Sequence, residues 1–103
     1  IFNNSDKCIA IEYPIGDKDI NGAVIELNGR YPERGRVVNM ECKELAYILK
    51  GSGKIVIEGE EIQFKEGDLL LLEPKEKYFW EGNCKMFVPC IPAWWPEQHM
   101  EVE

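Results

Sequence analysis

The sequence predicts an all-β chain folded as a sandwich or barrel, on three observations. Turn signals recur at roughly 8 to 12 residue intervals. The segments between them are short, and either apolar throughout or alternating polar with apolar. Nowhere does the roughly 10 to 15 residue helical pattern of a βαβ unit appear. With 103 residues the chain has room for a single domain, 1–103, and not for two ordinary ones. Its 45% hydrophobic and 11% aromatic content supplies a core despite 30% charged residues, so disorder is not expected.

Taken in order, Lys7 to Tyr13 holds a brief apolar run ended by Pro14. Ala23 to Leu27 is the next strand, closed by the turn signal Asn28-Gly29. Arg36 to Glu41 is the third, entered after Pro32 and Gly35. Leu45 to Leu49 is apolar throughout, and Gly51-Ser52-Gly53 reads as the turn after it. Lys54 to Glu58 alternates and breaks at Gly59. Glu61 to Lys65 follows, then the turn Glu66-Gly67-Asp68, then Leu69 to Leu72 stopped at Pro74. Lys77 to Glu81 turns at Gly82-Asn83 into Cys84 to Val88. The tail CIPAWWPEQHMEVE changes character, and is expected to lie extended against the barrel because Trp94 and Trp95 are costly to leave in water.

A net charge of −7 argues against nucleic acid and anionic membrane as partners, since both need a positive surface. The longest apolar run, around Leu69 to Leu72, is strand-sized, far short of the roughly 20 residues that span a bilayer. No signal-peptide pattern is present, although a start at Ile1 without methionine implies that something upstream has been lost or removed. Cys8, Cys42, Cys84 and Cys90 show no CxxC spacing and read as reduced thiols in a cytoplasmic protein. Cys84 and Cys90 are six apart, so on a regular strand they face the same way.

The stretch ELAYILKGSGKIVIEGEEIQF, with Glu44 seven residues ahead of Gly51, resembles the first motif of the cupins and the hairpin that follows it. EGDLLLLEPKEKYFWEGN resembles the second motif at Gly67, Asp68, Pro74 and Asn83. The resemblance covers about residues 35–90, and implies a cupin double-stranded β-helix, a jelly-roll-like barrel, with 91–103 as an extended C-terminal segment. It implies no one reaction, because cupins include isomerases, dioxygenases, decarboxylases, storage proteins and ligand sensors. The motif's His-x-His pair falls on Val38 and Met40, or on Val37 and Asn39, according to the gap counted. The histidine of the second motif falls on Tyr78. Of the family's ligands only Glu44 survives, a poor match to a transition metal; no metal and no cofactor is expected. Glu41, Cys42 and His99 could rebuild a site only in principle, since no spacing supports it.

Glu44 shares a strand face with Ala46 and Ile48. Turned inward, it is either a ligand anchor or general base, or a carboxylate simply hydrogen-bonded to Tyr78 or backbone. Tyr78 and Trp80 alternate, with Phe79 on the other face. They could line a pocket for a flat or sugar-like ligand, although core filling suits Trp80 slightly better. Asn39 could add a neutral hydrogen-bonding group. His99 reads as a solvated tail residue. Trp94 and Trp95 could form a lid, pack on the barrel or make a dimer contact, the last two preferred.

The function expected from these residues is metal-free binding of a small polar or carbohydrate-like molecule in the barrel. An enzyme is the alternative: a sugar isomerase or epimerase with Glu44 as base, or, ranked lower, a metal-dependent cupin. A structural dimerisation domain is the third reading. A homodimer is expected, as cupins commonly pair through their outer sheets.

Overall fold

The computed structural model describes the backbone of residues 2–13 and 15–103, and side chains from residue 6 onward except at 14. Ile1 and Pro14, on which two of the sequence expectations rest, lie outside the described residues. The strands are β1 (Phe2–Ser5), β2 (Cys8–Glu12), β3 (Asn21–Tyr31), β4 (Arg36–Asn39), β5 (Lys43–Ile57), β6 (Glu60–Lys65), β7 (Leu69–Leu72), β8 (Lys77–Ile91) and β9 (His99–Val102). All pairings are antiparallel. One path runs β1-β2-β3-β8-β4-β9, and β5 joins β8 to β6 and β7. The long strand β8 is therefore the hub, bonded to β3 along one edge and to β5 along the other.

Alternation decides what fills the interior. On β5, Ala46 and Ile48 are fully buried while Leu45, Tyr47 and Leu49 are exposed. On β8, Tyr78, Trp80, Met86, Val88 and Cys90 point inward. With Val37, Ile55, Phe64 and Leu72 they close one core, as the period of two requires. Cys84 and Cys90 do share the inner side, and none of the four cysteines is disulfide-bonded.

Three of the expected turns are not turns. Asn28-Gly29 lies within β3, Gly51-Ser52-Gly53 within β5, and Gly82-Asn83 within β8. Gly29 pairs with Gly82, and Gly82 pairs with Gly53, so three glycines cross three neighbouring strands in one line. The backbones approach so closely there that a Cβ on Gly82 would sit 2.6 Å from the Gly53 Cα. Glycine here permits contact and curvature inside long strands rather than ending them. Gly59 does end one: with Glu58 at φ 50° and Gly59 at φ 85°, it makes the two-residue hairpin between β5 and β6.

The tail also differs from expectation. Residues Pro96–Gln98 form a 3₁₀ turn, and His99–Val102 form β9, paired with β4 as Asn39↔His99 to Arg36↔Val102. β1, which the sequence did not suggest, pairs with β2.

Candidate functional site

β4 ends at Asn39, and β5 begins four residues later. This brings Asn39 beside Glu44 and beside Tyr78 of β8, which pairs with Val37. The Asn39 Nδ2 donates to Glu44 Oε1 at 2.9 Å and to the Tyr78 hydroxyl at 3.3 Å. Asn39, the second position under one of the two motif gaps, is the one whose side chain meets Glu44 and Tyr78.

The other end of the Asn39 amide faces the C-terminal segment. Its Oδ1 accepts from Trp94 Nε1 at 3.3 Å, Gln98 Nε2 at 3.1 Å and His99 Nδ1 at 2.7 Å. An indole N–H can only donate, so the amide orientation follows from its neighbours. Gln98 is buried, and its Oε1 accepts the backbone N–H groups of Glu41 and Cys42 at 3.1 and 3.2 Å. Its own orientation is settled in the same way.

His99 is half-buried, not a solvated tail residue; pairing of β9 with β4 carries it inward, opposite Asn39. Burial holds its pKa below the ordinary imidazole range, so the ring is neutral at pH 7. A neutral imidazole has one donor and one acceptor. Nδ1 faces an acceptor and carries the proton, which leaves Nε2 to accept from the Tyr31 hydroxyl at 3.0 Å. Tyr31, Tyr78 and Cys90 are all pushed well up, by burial first and by the charge of nearby Glu44 among the lesser causes. They stay protonated.

Glu44 itself is raised to about 7. Burial is the main cause and the charge of Glu12 adds to it, while hydrogen bonds from Asn39 and Cys90 pull the other way. A carboxylate so placed is close to half-ionised at neutral pH. The result is one connected chain, Tyr31–His99–Asn39–Glu44, with a group that can exchange a proton at its end.

Tyr31, His99 and Glu44 of this chain, though not Asn39, border a cavity of about 90 Å³, room for roughly three waters. Its polar side is Tyr31, Glu44, Tyr78, Trp94 and His99; its apolar side includes Ala10, Ile25, Leu27, Trp80, Met86 and Val88. Trp80 meets Tyr78 and Phe64 edge-on at 6.4 and 5.5 Å, so it is both core and cavity wall. Trp94 lines the cavity, whereas Trp95 does not and is 39% exposed. Asn39, Glu44, Tyr78, Trp80 and Trp94 thus come together. Tyr31 and Gln98 complete the cluster and were not anticipated, and His99 joins it against the expectation of a solvated tail residue. The one sequence signal for them was the polar–apolar alternation of His-Met-Glu-Val at the end of the chain.

The residues at the motif positions do not fit a divalent transition metal. Asn39 Oδ1 already accepts three hydrogen bonds and Tyr78 keeps its proton, which leaves one carboxylate; such a metal wants several imidazole, thiolate or carboxylate ligands converging. Among the described residues, no three His, Cys, Asp or Glu side chains are grouped to hold an ion.

An antiparallel barrel with Asn39, Glu44 and Tyr78 meeting in its interior has the architecture of a cupin. The chain belongs to the EutQ-like cupin family, whose domain it matches over residues 32–87, more than half its length. No curated protein matches it by sequence. Among solved structures it is similar to Pac13, a nucleoside dehydratase, and to a substituted form of the Streptomyces protein with uridine. Each is 16% identical, with 98% of this chain and 82% of that one covered, at TM-scores of 0.89 and 0.88 respectively. It is also similar to the Clostridium difficile EutQ protein (17% identity, 93% and 70% covered, TM-score 0.76). KdgF from Halomonas sp. is a third (13% identity, 88% and 84% covered, TM-score 0.69). At these identities the likeness is one of fold.

Proposed function

We propose that the protein binds a small hydroxylated molecule, of carbohydrate or nucleoside class, in the barrel cavity without a metal. The observation that carries this reading is the two-sided cavity, with an apolar aromatic wall facing a hydrogen-bonding cluster centred on Glu44. Sites for small molecules have this make-up: mostly apolar, with a few placed polar groups. A nucleoside-sized ligand would insert one ring and leave the rest beside the partly exposed Glu12, Asn21 and Trp94. The similar Streptomyces barrel with uridine supports the nucleoside class. The test is ligand-observed NMR with a panel of neutral nucleosides and monosaccharides, against the wild type and Glu44→Ala. Binding lost in the variant is the expected result; a panel without a single binder sinks the reading.

A second reading, acid–base enzyme, has its own support in Glu44 and the Tyr31–His99 pair. Isomerisation or elimination needs a group that takes a proton and one that returns it. Glu44, near neutrality, suits the first role. Tyr31, bonded to a neutral imidazole, suits the second. Glu44→Gln abolishes turnover on this reading while leaving the fold intact.

We propose further that the protein is a homodimer, working in a reducing, cytoplasmic setting that suits four cysteines outside disulfides. The support for the dimer is an apolar outer face. Leu45, Tyr47 and Leu49 on β5, Leu69 and Leu71 on β7, and Phe87 and Ile91 on β8 are 40% to 60% exposed. Cross-strand pairs such as Leu45↔Leu71 and Tyr47↔Phe87 make them contiguous. Monomers rarely leave so large a patch uncovered.

A further inference from the structure

The cavity's hydrogen-bonding capacity is lopsided. Its indole and imidazole N–H donors are spent within the protein, Trp94 Nε1 and His99 Nδ1 on Asn39 Oδ1, and one of the two Asn21 Nδ2 protons goes to the Trp94 carbonyl. The Tyr31 hydroxyl is spent on His99 Nε2. Two acidic side chains, Glu12 and the partly ionised Glu44, border the space, and no lysine or arginine does among the described residues. A carboxylate takes about four hydrogen bonds, and the side chains that supply Glu44 among the described residues are Asn39 and Cys90. What remains open is mostly acceptor capacity, beside the second Asn21 amide proton and the Tyr78 hydroxyl proton, inside a molecule of net charge −7.

We infer that the site recognises ligands by their O–H or N–H donors and excludes phosphorylated and carboxylated ones, so that its ligand is the uncharged or cationic member of any such pair. An anion would meet the negative charge of Glu12 and of the partly ionised Glu44, with no lysine or arginine among the described residues bordering the space to offset it, at low local dielectric. A hydroxyl or amine donating to Glu44 or Glu12 fills the capacity that the protein leaves unused. This deepens the ligand reading above and rests on it for the ligand's identity, but the exclusion of anions can be measured without a ligand.

The ligand-free measurement uses tryptophan fluorescence in a Trp95→Phe background, where the cavity residues Trp80 and Trp94 report. Acrylamide, a neutral quencher, should quench several-fold more efficiently than iodide, with caesium ion exceeding iodide as well. Adding Glu12→Gln should raise iodide quenching while leaving acrylamide unchanged, at an ionic strength that screens the distant charges. Iodide quenching equal to acrylamide, or unmoved by Glu12→Gln, overturns the inference. The companion measurement is NMR titration, followed at the lone His99 ring and the Trp94 indole, with uridine against uridine monophosphate and glucose against glucose phosphate. The phosphorylated member should bind at least about tenfold more weakly, with the gap narrowed in Glu12→Gln. Equal or tighter binding of the phosphorylated member overturns the inference. Should no member bind, the barrel's reading as a site for these ligands falls, and the quenching result still decides on the anion.

Discussion

The Asn39 side chain joins the two motif strands to the C-terminal segment, giving its protons to Glu44 and Tyr78 and accepting three in return. Gln98, next in that network, ties down two backbone N–H groups. Gln98→Ala strands both, and a urea titration should show a loss of about 2 to 4 kcal/mol. Glu44 gives a pH signature. Its folded pKa of about 7 lies above the ordinary value of 4.5, so its contribution to stability is whole below pH 4.5 and lost as the pH rises through about 7. Relative to Glu44→Gln, the wild type should weaken by about 2 to 3 kcal/mol across that window, read as diverging melting temperatures. Equal pH profiles for the two proteins would count against a buried carboxyl. For His99, nitrogen–proton correlation spectra should show the Nδ1–H form, protonating only below the ordinary histidine range; an Nε2–H ring would refute the network. Glu44, Asn39 and Tyr78 were legible in the sequence because the motif spacing points at them. Tyr31 and His99 meet across 68 residues of chain, a contact that no local pattern encodes.

At the scale of elements, the glycine line through Gly29, Gly82 and Gly53 explains both what the sequence showed and what it hid. The strand pattern was readable from alternation, and Gly59 marked a real hairpin. The other glycines carried the same local signal as turns, yet β5 and β8 run 15 residues each straight through them. A glycine that lets two backbones touch and one that reverses the chain look alike until the neighbouring strand is known. Gly82→Ala places a methyl against the Gly53 and Ser52 backbones and should cost about 2 to 4 kcal/mol. A mutant with an unchanged urea midpoint would show that the strands have room to part.

At the scale of the molecule, the apolar outer face of β5, β7 and β8 stands apart from the acidic remainder. Its edge holds the Lys43–Glu73 ion pair at 3.5 Å, and its centre, where Leu45 pairs with Leu71 and Tyr47 with Phe87, is apolar, so a second copy can approach there away from most of the −7 of the whole. Sedimentation should give twice the 11.9 kDa of one chain. Leu71→Glu should return it to one, with far-UV circular dichroism unchanged, and Trp95→Ala should leave the dimer intact. A monomeric wild type, or a dimer lost only with Trp95, would overturn this assignment. The barrel class was visible from turn spacing and composition; this face was not, because a strand's alternation says which side chains part company and never which side meets water.

Synthesis runs from the N-terminus, so the barrel strands through β8 leave the ribosome before Trp94, Gln98 and His99. A nascent chain can therefore bury its core while its cavity still lacks three of the side chains that organise it. Maturation of the site is then a separate, later event from folding. Sequence change at Trp94 or His99 can retune what the barrel holds, whereas change at Gln98 also costs the fold the two backbone bonds it supplies.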